Sequence, residues 1–255
     1  MTSEEFGESI SILIWAKALA HGHAEMLSIV SSANIACGGH ASDPETMYRT
    51  LTLARDSGVA VGAHPGFNDP IGFGRRVIPM APAEIGRMCA AQIGAFIGIA
   101  AQVGVPVDYV KPHGALGNLA ARDRTVADAI AEAVQKIDPT LAILAISGTQ
   151  SEHAARAAGV PVYAEVFADR GYLASGQLVP RDTEGAMIHD AADAATRLLT
   201  FLDTGLMPVI DGDPIKLNVQ SVCVHGDSVG AVKMAPEIRT RLTAHGVQIT
   251  RFANT

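Results

Sequence analysis

Short apolar runs alternate along this chain with longer stretches in which apolar residues recur every three or four positions. The short runs are residues 10–15 (ISILIW), 34–38 (NIACG), 59–63 (VAVGA), 108–111 (DYVK), 141–146 (LAILAI), 162–167 (VYAEVF) and 221–224 (SVCV). The last six are apolar on both faces, as strands covered from both sides must be. Between them Val126, Ala129, Ile130, Ala133, Val134 and Ile137 step at helical spacing, and so do Ala191, Ala194, Ala195, Leu198 and Leu202. Asp43-Pro44-Glu45 reads as a helix start, with an N-cap acid, proline at the first helical position and an acid at the positive end of the dipole. A further helix over about 84–102 carries Gly86, Gly94 and Gly98 in its interior. Each costs about 1 kcal/mol relative to alanine, and close backbone packing is the expected reason.

Repeated strand-then-helix units predict a parallel sheet with right-handed crossovers. Six or seven units in 255 residues point to an α/β fold of the (β/α)-barrel kind, seven-stranded and irregular. The alternative, an open doubly wound sheet, usually carries a dinucleotide glycine fingerprint, which is absent. No linker or composition shift divides residues 1–255, so one domain is expected.

Composition narrows the function. With 26 acidic against 19 basic residues the formal charge is −7, which argues against a nucleic-acid or anionic-membrane binder. The three cysteines, Cys37, Cys89 and Cys223, form no CxxC pair and leave one thiol over in any disulfide scheme. That favours a reducing compartment, and the cytoplasm is the expected location. The apolar run 10–20 resembles a signal-peptide core, but Glu4, Glu5 and Glu8 precede it where a secretory leader is basic.

Barrel active sites form just beyond the C-terminal ends of the strands. Here the second run leads into Gly39-His40, the third into His64-Pro65-Gly66, the fourth into Lys111-Pro112-His113-Gly114, the sixth into Asp169-Arg170 and the seventh into His225-Gly226-Asp227. A lone histidine is more often structural than catalytic, so the signal is the shared placement of four. Such a rim suits proton transfer combined with anion stabilisation. His113 and His225 fit general acid and base roles, Lys111 and Arg170 can hold developing negative charge, and Asp227 can orient an imidazole or activate water. A divalent metal on His40, His64, His113 and His225 stays open as well. Gly72-Phe73-Gly74-Arg75-Arg76 reads equally as an anion-binding loop, with Arg75 on the ligand, or as a solvated turn. Asn34 is either a substrate contact or a buried amide. His21-Gly22-His23 reads as surface, and Cys37 as a small buried hydrophobe. No Gly-Lys dipeptide exists for a Walker A loop, nor is there an HExxH motif. From the residues alone the chain is a hydrolase or lyase for a small anionic molecule.

Several motifs together carry a family resemblance. They are Ser31-Ser32-Ala33-Asn34-Ile35-Ala36-Cys37-Gly38-Gly39-His40, Val61-Gly62-Ala63-His64-Pro65-Gly66, Val110-Lys111-Pro112-His113-Gly114-Ala115-Leu116, Glu165-Val166-Phe167-Ala168-Asp169-Arg170 and Cys223-Val224-His225-Gly226-Asp227. In this order and register, over residues 24–250, the chain resembles the LamB/YcsF family. That resemblance implies ATP-dependent 5-oxoprolinase chemistry, the cleavage of the lactam of 5-oxo-L-proline to L-glutamate, with this chain working beside two partners, the B and C subunits. It also implies a barrel similar to glycoside hydrolases and deacetylases, with His40, His64, Lys111, His113, Asp169, Arg170, His225 and Asp227 lining the pocket. Two stretches depart from the family pattern: residues 1–23 lack its opening Asp-Leu-Asn-x-Asp-x-Gly-Glu strand, and Gly117 stands where tyrosine is usual. Two other readings are a metal-dependent deacetylase or carbohydrate hydrolase, and a binding protein without turnover.

Overall fold

A computed structural model describes residues 11–15, 27–225 and 231–250, with side chains over 27–224 and 234–250. The strands are β1 (Ser11–Trp15), β2 (Ser32–Ala36), β3 (Ala60–His64), β4 (Tyr109–Val110), β5 (Ala142–Ile146), β6 (Val162–Phe167), β7 (Leu206–Met207), β8 (Ile215–Lys216) and β9 (Ser221–His225). All but β7 and β8 are parallel, and their hydrogen-bonded order β1-β2-β3-β4-β5-β6-β9 closes into a barrel. Crossovers are made by helices: α1 (Pro44–Asp56), α2 (Pro82–Val103), α3 (Gly114–Arg122), α4 (Arg124–Ile137), α5 (Gln150–Ala157) and α6 (Ala191–Thr204), with α7 (Ala231–Ala244) after the last strand. The strand-then-helix reading therefore holds, with strand ends displaced by one or two residues. β2 lies two residues earlier than its apolar run because Gly38, at φ +89°, turns the chain out of the strand. The antiparallel β7–β8 pair was not anticipated, since two residues per strand leave no readable period.

Register sorts side chains between two layers. Asn34 lies beside Gly62, Gly62 beside Tyr109, Tyr109 beside Ala142, Leu144 beside Tyr163, and Glu165 beside Ser221. Paired neighbours share a face and faces alternate along a strand, so this set fills the barrel interior. The alternate set, including Ile35, Val61, Val110, Ile143, Val166 and Val222, is buried in the main apolar core beneath the helices. Gly62 is what admits a tyrosine to the interior: a Cβ there would stand 2.1 Å from the Tyr109 ring.

The helix starts behave as their sequences predict. Asp43 caps α1 by accepting from Thr46 N at 2.9 Å, with Pro44 in the first turn. Asp123 and Asp190 cap α4 and α6 in the same way. The glycines of α2 divide. A Cβ on Gly86 would meet the Ala129 carbonyl of α4 at 2.9 Å, so close packing explains this one. A Cβ on Gly94 or Gly98 would meet nothing within 4 Å outside its own stretch of helix, which corrects the expectation of tight packing at both.

The β3–α2 connection is a built turn. Asp69 accepts from Gly72 N at 2.9 Å and from Arg76 Nε at 3.0 Å, and its carboxylate forms an ion pair with the same guanidinium. Phe73 and Gly74 then take φ of 53° and 62° in succession, a left-handed pair that costs a non-glycine residue conformational energy. The turn aims two carbonyls at the neighbouring motif: Phe73 O at His113 Nε2, 2.8 Å away, and Gly74 O at the Ala115 N–H opening α3, at 3.0 Å.

Two outcomes are expected. Gly94→Ala and Gly98→Ala should each raise stability by about 1 kcal/mol, seen as melting points higher by roughly 2–4 °C. Asp69→Asn should lower the melting point at neutral pH. The hydrogen bond from Arg76 pulls the Asp69 carboxyl down to about 2 from 3.8. A depressed acid stabilises above its unfolded pKa, so the gap between variant and wild type should be full above pH 3.8 and close as pH falls towards 2. Melting curves across that range would read it.

Candidate active site

Four strand ends deliver polar groups to one side of the barrel. His64 is the last residue of β3, and Lys111 follows β4 directly, with its N–H bonded to Ala63 O at 2.9 Å. Pro112 then leads into His113, the N-cap of α3. His40 arrives from the Gly38-Gly39 turn after β2, and Asp169 and Arg170 follow β6. A cavity of about 570 Å³ opens here, walled in part by His64, Arg75, Lys111, His113, Arg170 and Arg181. Gly117, the departure from the family pattern, is also in its wall.

Three histidines form one cluster. His64 Nδ1 lies 2.6 Å from Lys111 O, His64 Nε2 lies 2.9 Å from His113 Nδ1, and His113 Nε2 lies 2.8 Å from Phe73 O. The His40 ring stacks on His113 with centroids 3.7 Å apart and planes 6° from parallel. Phe73 meets both rings edge-on. Space is tight enough to demand glycine: a Cβ on Gly74 would meet His40 Cβ at 2.7 Å and His113 Cδ2 at 2.8 Å, and one on Gly66 would meet His40 Nδ1 at 2.6 Å. Burial, then the neighbouring His113, lowers the His40 pKa to about 2, and the same two causes hold His64 well below the ordinary imidazole value. One ligand atom from each of the three lies within 4.8 Å of the others, a spacing open to a metal ion.

Deeper in the barrel sits an ion pair that the sequence reading missed. Lys111 Nζ is 2.5 Å from Glu165 Oε2 and 3.3 Å from Cys223 Sγ, and Ser221 Oγ stands 3.5 Å from Glu165. Glu165 is fully buried. Burial opposes charge on Lys111, but its contacts with Cys223 and Glu165 more than offset it and raise its pKa above the usual lysine value. Burial likewise raises Cys223, keeping it a thiol in the cavity wall. The one signal for Glu165 was an acid inside an otherwise apolar strand run, VYAEVF.

The remaining expected residues scatter. Of the proposed substrate contacts, His64, Arg75 and Arg170 reach the cavity wall, whereas Asn34, His40 and Asp169 are buried outside it. The Asn34 side-chain amide points into the barrel interior with no hydrogen-bond partner among the described residues. Arg170 donates Nε to Ala186 O at 3.0 Å and Nη2 to Val179 O at 2.5 Å, so much of its guanidinium serves the fold. Arg76 pairs with Asp69 rather than with the cavity. His225 ends β9, and its side chain lies outside the described residues, as do Asp227, His21 and His23.

Known proteins match this chain along nearly its whole length. The 5-oxoprolinase A subunit of Azorhizobium caulinodans is 48% identical over 228 residues, 89% of this chain and 90% of that one. A 5-oxoprolinase A subunit of Agrobacterium fabrum is 48% identical over 229 residues, 90% of each. The crystal structure of a lactam utilization protein from Thermus thermophilus superposes with a TM-score of 0.88 at 40% identity, covering 96% of this chain and 100% of that one. At 9% identity, the catalytic domain of a peptidoglycan N-acetylglucosamine deacetylase from Eubacterium rectale shares the fold alone, with a TM-score of 0.52 over 100% of this chain and 96% of that one. The LamB/YcsF family model matches residues 7–255, and with the strand-end motifs gathered at one cavity, the chain belongs to the LamB/YcsF family.

Proposed function

We propose that this chain is the A subunit of an ATP-dependent 5-oxoprolinase, a hydrolase that opens the lactam of 5-oxo-L-proline to L-glutamate in complex with B and C subunits. The observation that carries the reading is the near-half identity to proteins named as 5-oxoprolinase A subunits, over nine-tenths of both lengths. The cavity agrees with it. Its volume suits a small molecule, and Arg75, Lys111 and Arg181 in its wall offer cationic partners to a carboxylate.

An unstrained five-membered lactam is a poor electrophile, which gives ATP its part: phosphorylation of the amide oxygen makes a carbon that water can attack. This chain has no Walker A loop, so the phosphate site is either of another kind or on a partner subunit. Lys111, kept charged by Glu165, is assigned to the negative charge that develops on the attacked centre. His113, with His225 at the end of β9 and Asp227 two residues further along the chain, is assigned to proton transfer and water activation. His64, Arg75, Asp169 and Arg170 are assigned to holding the substrate side of the site, with Asn34 and His40 supporting it from behind.

Glutamate and ADP formation from 5-oxoproline plus ATP, with this chain and related B and C subunits omitted in turn, tests the assignment. Glutamate should require this chain. Lys111→Met combined with Glu165→Gln, which leaves no buried charge unpaired, should cut the rate by roughly 100- to 1000-fold with an unchanged circular dichroism spectrum. Turnover without this chain, or at the wild-type rate in the double variant, overturns the corresponding assignment.

A further inference from the structure

The carbonyl partners of the histidine cluster fix where its ring protons sit. A carbonyl oxygen only accepts, so His64 Nδ1 carries the proton donated to Lys111 O, and His113 Nε2 carries the proton donated to Phe73 O. A neutral imidazole has one N–H. The lone pairs are therefore at His64 Nε2 and His113 Nδ1, and these two atoms lie 2.9 Å apart. Two lone pairs at that distance repel unless a cation serves both.

A shared proton is one such cation, but it would make a buried imidazolium beside a second and third ring. A metal ion needs the opposite condition, neutral rings whose lone pairs can be donated. The rest of the arrangement matches that need. Each ring holds its other nitrogen on a backbone carbonyl, the device that orients metal-bound histidines. Two nitrogens bound tetrahedrally at about 2.0–2.1 Å to one zinc ion stand roughly 3.3 Å apart, so the 2.9 Å spacing need open only by a few tenths of an ångström to seat one. His40, stacked on His113, brings a third ring nitrogen to the same spot.

We propose that His40, His64 and His113 form a binding site for one divalent transition-metal ion, zinc by donor type, at the edge of the barrel cavity, with His64 and His113 in its wall and His40 behind them. Three neutral imidazoles, with no carboxylate in the cluster among the described residues, select a borderline ion over magnesium or calcium. Bound there, the ion would supply an open position able to polarise a carbonyl oxygen or lower the pKa of a water. The site owes nothing to the lactam reading, and its test uses neither partner subunits, 5-oxoproline nor ATP, so either can fail alone.

The test uses the full chain, purified without a polyhistidine tag, stripped with chelator and titrated with zinc by calorimetry. X-ray absorption on the loaded wild type counts its nitrogen ligands. One equivalent should bind, with a shell of histidine nitrogens. His64→Gln and His113→Gln should each weaken binding on the order of 100-fold, while a His21→Gln/His23→Gln variant binds as wild type does. Less than about a tenth of an equivalent at saturating zinc overturns the proposal. So does an absorption spectrum without imidazole scattering, which decides the matter even if the cluster variants fail to fold. Affinity unchanged by both cluster substitutions, or lost in the His21/His23 variant, also overturns it.

Discussion

A fully buried carboxylate and a buried ammonium 2.5 Å apart set the terms for the inside of this barrel. Neither charge tolerates that setting alone: removing one partner of such a pair characteristically costs about 3–5 kcal/mol, because the other is left without water or counter-charge. Glu165 points into the barrel from mid-β6, and Lys111 enters from the end of β4, so the pair ties together two strands that are not neighbours in the sheet. Ser221 and Cys223 from β9 complete the contact. The Lys111 backbone has a second part, since its carbonyl holds His64. The position of the histidine cluster thus depends on the strand end that the ion pair pins.

Above this pair the structure relies on backbone rather than side chains. Phe73 O and Gly74 O meet a histidine ring and a helix terminus, and both are aimed by consecutive left-handed residues in a turn closed by Asp69. A loop built this way holds its shape without an apolar core of its own. Arg75, next in line, is carried to the cavity by a turn whose geometry it does not determine.

What the sequence reveals follows from what is local in the chemistry. His64, Lys111 and His113 are legible because each stands at a strand end beside glycine or proline, and a parallel barrel brings such ends to one side. Glu165 is not, because its meaning comes from register: nothing within VYAEVF tells that the acid faces a lysine from another strand. Asp69 is hidden for a related reason, since only the path of the turn brings it to Arg76. Gly94 and Gly98 illustrate the reverse error, a local feature credited with a tertiary cause it lacks. The fold class needed only periodicity, whereas the pairings inside the barrel needed the fold.

Arg170 shows how ligand size can be written into a main chain. Its guanidinium is bonded to the carbonyls of Val179 and Ala186, and Gly171, where a Cβ would stand 2.1 Å from Gly185 O, lets the two ends of segment 171–185 close against each other. That side of the cavity is consequently a fixed partition. A change in the length of the segment between Gly171 and Gly185 would move the part of the wall that Leu178, Pro180 and Arg181 form. Insertions or deletions there are the route by which a barrel of this construction would shift to larger or smaller substrates while every strand-end residue stayed in place.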